Sequence, residues 1–319
     1  MNRQTALPLI VVLTGPTGAG KSALAFELAA ALTQVKPVEI ISVDSAQIYR
    51  DMDIGTAKPD AAVRERWCHH LIDIRNPDEH YSAGEFVRDA RQAIAACVGR
   101  GHLPLLVGGT MLYLRALHSG LAILPEASPV LRRELDEQAL QQGWPALHGE
   151  LSRIDPQAAA HISCNDAQRI QRALEVFRLT GVPISQWQRD THGAKDDFHW
   201  LRYAVMPADR ESLRRDLSAR FDQMMKAGLL NEVEQLLERW DLTDRHPAMR
   251  AVGYRQLSQF FRNECTLAEA SQRAIIATMQ LAKRQLTWLR REQGLTAVSG
   301  NTVGQMSSIK EAIVAGLDA

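Results

Sequence analysis

Three short, largely apolar runs, Leu9 to Thr14, Val38 to Val43 and Leu103 to Val107, read as continuous rather than alternating, unlike a strand with one wet face. They predict strands of a parallel sheet that is covered on both sides. Around them the apolar positions switch to helical spacing, so Ser22 to Leu32 and Glu85 to Val98 predict crossover helices. Strands alternating with helices in this way indicate an α/β doubly wound unit, whose ligands bind at the carboxyl ends of the strands.

From about Leu121 the texture changes. Helical segments are punctuated by Pro125, Pro129, Pro145, Pro156 and Pro183, and no strand-like run recurs until Trp200 to Val205. Within this stretch Ile170, Ala173, Leu174 and Phe177 fall at i, i+3, i+4 and i+7, with Asn165 or Asp166 placed to cap the start and Gly181 after the end. Helices resume at about Ser212 to Ala227 and Leu229 to Trp240. A long one over about 267–291 carries Ile275, Met279, Ala282, Leu286 and Leu289 as its apolar stripe. The C-terminal residues beyond it carry weak signals. The predicted organisation is an α/β core in two parts, residues 1–120 and 199–319, with a helical insertion over 121–198.

The 319 residues suffice for one large domain or two smaller ones. With 37 basic and 37 acidic residues there is no global field to attract nucleic acid, so any such binding must come from local clusters. Cys68, Cys97, Cys164 and Cys265 lack CxxC spacing, and His69 and His70 have no second cysteine pair to complete a zinc site. A reduced, cytoplasmic setting is the expectation. No run approaches the roughly 18 apolar residues of a membrane helix. The apolar run from Leu7 to Leu13 leads into a glycine-rich loop rather than a small-residue cleavage site, so it reads as the first strand and not as a signal peptide.

That loop, Gly15-Pro16-Thr17-Gly18-Ala19-Gly20-Lys21-Ser22, matches GxxxxGK[ST] between a predicted strand and a predicted helix, the context a phosphate-binding loop (P-loop) requires. Its backbone N–H groups and helix N-terminus favour phosphate oxygens, Lys21 adds a full charge, and the Ser22 hydroxyl is in the position that reaches magnesium. ATP, GTP or another pyrophosphate ester would all fit. Asp44 ends the second strand, where it can hold magnesium, take a proton from an acceptor nucleophile, or cap the next turn. Gly108-Gly109-Thr110 ends the third strand, its glycines permitting close backbone approach and its threonine offering a hydroxyl. Between Arg250 and Arg291 eight basic residues face only Glu264 and Glu269, with Tyr254 and Trp288 among them. That mixture suits phosphate contacts with nearby base stacking, and equally a solvated helix face with a core tryptophan. Arg169 and Arg172, at i and i+3, are a weaker hint of the same kind.

With these residues assembled, the chain resembles the bacterial tRNA dimethylallyltransferases, or tRNA isopentenyltransferases. The likeness is carried by the phosphate loop together with Ser42-Val43-Asp44-Ser45-Ala46-Gln47-Ile48-Tyr49, Met52-Asp53-Ile54-Gly55-Thr56-Ala57-Lys58-Pro59, and LLVGGTMLY from Leu105 to Tyr113. Asn165 to Glu175, Val252-Gly253-Tyr254-Arg255 and LAKRQLTWLR from Leu281 to Arg290 extend it. The likeness is to the bacterial form, for which no zinc-finger extension like that of the eukaryotic relatives is expected.

The resemblance implies a P-loop doubly wound parallel sheet with a helical insertion, and transfer of a dimethylallyl group from dimethylallyl diphosphate to an adenosine N6 with release of pyrophosphate. The acceptor would be the adenosine immediately 3′ of the anticodon in tRNAs reading codons that begin with U, and the cofactor magnesium (Mg2+), held near Ser22. It also implies a cytoplasmic enzyme with no membrane partner, expected as a monomer. Gly15 to Ser22 would bind the diphosphate, Asp44 would be the base, Thr110 would sit at the active site, and Arg220 would meet the diphosphate. RNA contacts would come from Asp44, Ser45, Ala46 and Gln47, from Thr110 and Arg132, and from Gln168, Arg169, Ile170, Gln171 and Arg172. Two further stretches complete them: Arg250, Ala251, Val252, Gly253, Tyr254 and Arg255; and Lys283, Arg284, Gln285, Leu286, Thr287, Trp288, Leu289 and Arg290. The competing readings are a small-molecule or nucleotide kinase, marked by ATP consumption, and a regulatory RNA-binding protein that leaves RNA unmodified.

Overall fold

The computed structural model describes residues 7–122, 124–189, 197–244, 246–299 and 303–317. The chain divides into two compact units, Met1–Leu117 with Asp196–Ala319, and His118–Lys195. The sequence reading set the insertion three residues later at each end.

In the first unit the strands β1 (Leu9–Thr14), β2 (Val38–Ser42), β3 (His69–His70), β4 (Leu103–Val107), β5 (His199–Met206) and β6 (Thr296–Ser299) form one sheet in the order β3-β2-β4-β1-β5-β6. Every pairing is parallel. The central strand β1 is buried along its whole length, and its side chains alternate between two cores. Ile10 and Val12 join Ile41, Leu106, Phe86 and Ile94 on one face, while Leu9, Val11 and Leu13 join Leu24, Leu28, Leu32 and Ile313 on the other. Helices therefore cover both faces, which is why β1, β2 and β4 read as largely apolar runs without alternation.

The helices α1 (Lys21–Leu32), α2 (Ala61–Arg66), α3 (Ala83–Gly99) and α4 (Met111–Ser119) fall between or after the first four strands. Ser82 and Glu85 start α3 with a capping box, Ser82 Oγ accepting from the Glu85 N–H at 3.1 Å and Glu85 Oε2 from the Ser82 N–H at 2.8 Å. In the second unit α5 (Pro129–Gln142), α6 (Trp144–Ile154), α7 (Pro156–Ala159), α8 (Ala167–Thr180) and α9 (Ile184–Arg189) surround Leu135, Leu147, Leu151, Ile170 and Leu174. Asp166 is the residue that caps α8, and Gly181 ends it at φ 71°. Back in the first unit come α10 (Arg210–Lys226), α11 (Leu229–Arg239), α12 (Tyr254–Phe261), α13 (Leu267–Leu289) and α14 (Val303–Leu317).

Several elements depart from the sequence reading, among them β3, β6 and the helices α2, α4, α12 and α14. β3 is a two-residue histidine strand, and β6 exposes Thr296 and Ala297, so neither presents an apolar run. The helix α14 completes one core with Ile309 and Ile313, a burial made by a sheet formed far earlier in the chain. Among the described residues no helix is long and apolar enough to cross a membrane.

Candidate active site at the carboxyl ends of the strands

The phosphate loop leaves β1 through Gly15, whose φ is 150° and whose added Cβ would lie 2.4 Å from the Val205 carbonyl oxygen on β5. Only glycine fits there. At the loop's end the Lys21 ammonium donates to the Pro16 carbonyl at 2.8 Å, which holds it across the loop. Desolvation pulls Lys21 down to about 8, against the opposing pull of Asp44 and with the help of Arg220. The three charged groups thus feel one another although they come from α1, the end of β2 and α10.

The neighbouring strand ends are equally close. An added Cβ on Gly108 would meet the Val43 carbonyl oxygen at 2.1 Å, and the Thr110 N–H donates to that same carbonyl at 3.2 Å. The Thr110 hydroxyl then accepts from the Ser45 N–H at 3.1 Å, tying the end of β4 to the turn after β2. Asp44 Oδ1 accepts from the Ala46 N–H at 2.8 Å and the Gln47 N–H at 3.4 Å. Asp44 therefore does cap the following turn, with one carboxylate oxygen. Among the described residues Oδ2 makes no hydrogen bond.

Two helices close the site from the β5 side. On α10, Leu213 and Leu217 pack with Ala282 and Leu286 of α13, and Arg220, three residues after Leu217, follows on the same face. Desolvation lowers the Arg220 guanidinium from its ordinary range while Asp44 resists that shift. From α13 the buried Gln285 accepts from the Thr17 N–H at 2.9 Å and donates from Nε2 to the Gly109 carbonyl at 2.9 Å. One carboxamide thereby joins the phosphate loop to the end of β4.

The helical period of α13 divides its C-terminal stretch in two. Ala282, Gln285, Leu286 and Leu289 are buried against the site, whereas Lys283, Arg284, Thr287 and Arg290 are exposed. Trp288 is half-buried, with the Arg115 guanidinium 5.7 Å from its ring centroid. Among the described residues Lys283, Arg284 and Arg290 form no ion pair. Arg250 donates to the Asp244 carbonyl at 3.4 Å, and Arg255 is exposed.

Some residues expected at an RNA surface are core instead. Tyr254 is fully buried, its hydroxyl donating to Glu232 at 2.5 Å, and its ring fills the space where an added Gly55 Cβ would stand. Leu286, Leu289 and Ile170 are also buried, because contiguous helical stretches necessarily alternate inward and outward positions. Their side chains anchor the helices whose other faces are exposed. Ala251 and Val252 are half-buried, and Gly253 is buried.

The Met52 to Pro59 string proves to be a braced loop. Glu232 accepts from the N–H groups of Asp53, Ile54 and Gly55 at 3.0, 2.7 and 3.1 Å. Lys58, almost wholly buried, donates to Tyr49 O at 2.8 Å, Asp53 Oδ1 at 2.5 Å and Asp73 Oδ1 at 2.6 Å. Gln47 reaches the same loop through Thr56 O at 3.3 Å. Sequence reasoning missed Glu232 and the bridging part of Gln285, since each works through partners far away in the chain.

In the second unit Glu175 is fully buried and gathers Arg132 Nε at 2.9 Å, Arg172 Nη1 at 2.6 Å and the Ser128 N–H at 2.8 Å. Gln171 donates to Asp136 Oδ1 at 2.8 Å, while Gln168 and Arg169 are exposed.

The sequence profile of the IPP transferase family matches residues 47–292. The chain belongs to this family. Among curated relatives it is 52% identical over 284 residues to the tRNA dimethylallyltransferase of Thiobacillus denitrificans, covering 89% of each chain. It is 49% identical over 286 residues to that of Nitrosomonas eutropha, covering 90% of this chain and 89% of the relative. Among solved structures it resembles the full-length tRNA isopentenylpyrophosphate transferase of Bacillus halodurans, with TM-score 0.70, 34% identity and 97% of each chain covered. It also resembles a eukaryotic dimethylallyltransferase acting on tRNA, with TM-score 0.78, 25% identity, and coverage of 96% of this chain and 78% of that one.

Proposed function

We propose that this enzyme transfers the dimethylallyl group of dimethylallyl diphosphate to N6 of the adenosine immediately 3′ of the anticodon, in tRNAs reading codons that begin with U. The observation that carries the reading is the convergence of Lys21, Asp44, Thr110 and Arg220 around one phosphate loop, in a chain of this family.

Cleavage of the carbon–oxygen bond of the substrate leaves pyrophosphate, so charge develops on the diphosphate. The loop N–H groups from Gly15 to Ser22, the Lys21 ammonium and the Arg220 guanidinium are fixed dipoles and charges suited to receive it. The adenine N6 lone pair is delocalised into the ring, which makes the amine a weak nucleophile. As the N6–carbon bond forms the N6 proton must leave, and Asp44 is the carboxylate that takes it. The Thr110 hydroxyl, held against Ser45, positions the turn that carries Asp44. A stacked anticodon-loop base cannot reach such a site, so the adenosine flips out, which requires about a few kcal/mol. The exposed faces that carry Lys283, Arg284 and Arg290, and Gln168 and Arg169, together with Arg132 and Arg172, would hold the RNA backbone.

Magnesium fits the hard oxygen donor present at the loop, the exposed Ser22 hydroxyl, beside the oxygens of the diphosphate itself. When bound it would neutralise diphosphate charge. The reading further takes the enzyme to be cytoplasmic and to act as a monomer.

The test is incorporation of labelled dimethylallyl from its diphosphate into an unmodified anticodon stem-loop, with magnesium and without ATP. Label should enter the wild-type stem-loop and vanish when the adenosine 3′ of the anticodon is replaced. ATP-dependent phosphorylation with no incorporation would instead establish a kinase.

A further inference from the structure

At the opposite end of the sheet from the phosphate loop, Glu39 of β2 is a buried carboxylate surrounded by donors. Arg100 grips it through Nε to Oε1 at 2.8 Å and Nη2 to Oε2 at 2.6 Å, and His102 Nδ1 lies 2.6 Å from Oε1. On the rim, His70 Nε2 lies 2.6 Å from Oε2, and Cys68 Sγ lies 3.8 Å from Oε2 and 3.6 Å from His70 Nε2. The Cys68 carbonyl accepts from the Ile40 N–H at 2.9 Å, which fixes the cysteine beside the strand that carries Glu39. The sequence showed no zinc spacing here because its third ligand type lies on another strand.

We propose that Glu39 Oε2, Cys68 Sγ and His70 Nε2 bind one zinc ion, with the fourth position open to water. Tetrahedral zinc with sulfur at about 2.3 Å and nitrogen or oxygen at about 2.0–2.2 Å sets ligand atoms roughly 3.3–3.8 Å apart. Both sulfur separations already meet that requirement. The His70–Glu39 hydrogen bond must open by roughly 0.7 Å, and His70, half-exposed on an edge strand, is the side chain free to move. Arg100 and His102 remain on Glu39 as the outer partners that hold a ligating carboxylate in place. A thiolate, an imidazole and a carboxylate select zinc over magnesium. Binding releases the Cys68 thiol proton to solvent, and His70 coordinates as its Nδ1–H tautomer. Burial, and after it the neighbouring Glu39 carboxylate, raise the thiol in the free protein, and a divalent cation between the two groups opposes that effect. The ion would pin the two-residue strand β3 to β2.

The experiment is titration of the tag-free full chain with zinc alone and with cobalt(II) alone, beside Cys68→Ser and His70→Ala. Cobalt should give a thiolate charge-transfer band in the near ultraviolet at one equivalent. Zinc should raise the melting temperature of the wild type by a few degrees at about 100-fold excess over Kd. Cys68→Ser, at an exposed position that leaves the fold intact, should lose the band and at least about tenfold in affinity. Absence of the thiolate band, or equal zinc affinity in Cys68→Ser, would overturn the site.

Discussion

Gln285 Oε1 stands 2.9 Å from the Thr17 N–H, across 268 residues of sequence. That contact comes from the buried face of α13, whose opposite face carries Lys283 and Arg284. The phosphate loop and the basic surface are therefore two sides of one helix. Gln285→Ala leaves the Gly109 carbonyl without its donor, and a lost buried hydrogen bond costs about 1–3 kcal/mol. Urea denaturation should show that loss, and KM for dimethylallyl diphosphate should rise. Gln285→Glu keeps the acceptor for Thr17 but loses the donor to Gly109, and it should also bind the diphosphate more weakly. A variant with wild-type KM would remove the bridge from loop positioning.

Asp44 uses one oxygen to cap its own turn, through Ala46 and Gln47. Asp44→Asn preserves an oxygen acceptor for that cap while abolishing the proposed base. We expect kcat to fall by about 10²- to 10⁴-fold with dimethylallyl diphosphate still bound. Single-turnover transfer and diphosphate affinity, measured together, separate this from a folding defect. Asn turning over like wild type would take proton removal away from Asp44.

Lys21, pulled down to about 8, titrates well below an ordinary lysine. The protonated ammonium is the form that attracts diphosphate, so the favourable state exists below that value and is lost as pH rises through it. In the kcat/KM profile for dimethylallyl diphosphate, which reports the free enzyme, a descending limb should fall near pH 8. The bound diphosphate favours the cation, so the matching limb in kcat should lie at higher pH. Lys21→Arg, which stays charged, should abolish the descending limb even if its rate is low.

Much of this site was legible before any coordinates. β1, the glycine loop and α1 announce themselves because strand burial on both faces erases alternation and because GxxxxGK[ST] is a backbone requirement. The strand-end placement of Asp44 and Thr110 follows from the same pattern. What stayed hidden were polar residues inside otherwise apolar stretches. Glu39 interrupts β2, and its partners Cys68, His70, Arg100 and His102 come from β3, its approach and the turn before β4. Gln285 sits within an apolar helical stripe, and Glu232 reaches back to Asp53, Ile54 and Gly55. Periodicity assigns such residues to a face; it cannot name a partner that only the tertiary fold brings near. The same gap explains Tyr254, an aromatic among basic residues that packs on Gly55 inside the core.

Glu175 anchors Arg132 and Arg172 of the second unit. Its carboxyl is held below the ordinary range: burial opposes this, but Arg132, Arg172 and the Ser128 N–H outweigh it. A carboxylate lowered on folding stabilises above its unfolded value and loses that stability as pH falls through the folded one. The helical unit should therefore loosen at acid pH, seen as faster amide exchange over α5 and α8. Glu175→Gln leaves two partly exposed arginines facing a neutral group, and losing a hydrogen bond to a charged group costs about 1.5–3 kcal/mol. Unchanged exchange in α5 and α8 would show the network to be dispensable.

On the proposed function, the exposed face of α13 is the surface that holds RNA. If Lys283 and Arg284 each neutralise one phosphate, changing both to Gln weakens the anticodon stem-loop without regard to its sequence. Each lost contact should also flatten the slope of log K against log salt, by about 0.7 for single-stranded and 0.9 for duplex phosphates. Because Gln285 and Leu286 lie on the other face, dimethylallyl diphosphate binding should stay at its wild-type value. Binding at several salt concentrations gives both quantities. A salt slope that stays put, with weaker binding, would mean that the two side chains act through helix packing rather than through charge, and the RNA path would have to be sought along Arg290 and Arg255 instead.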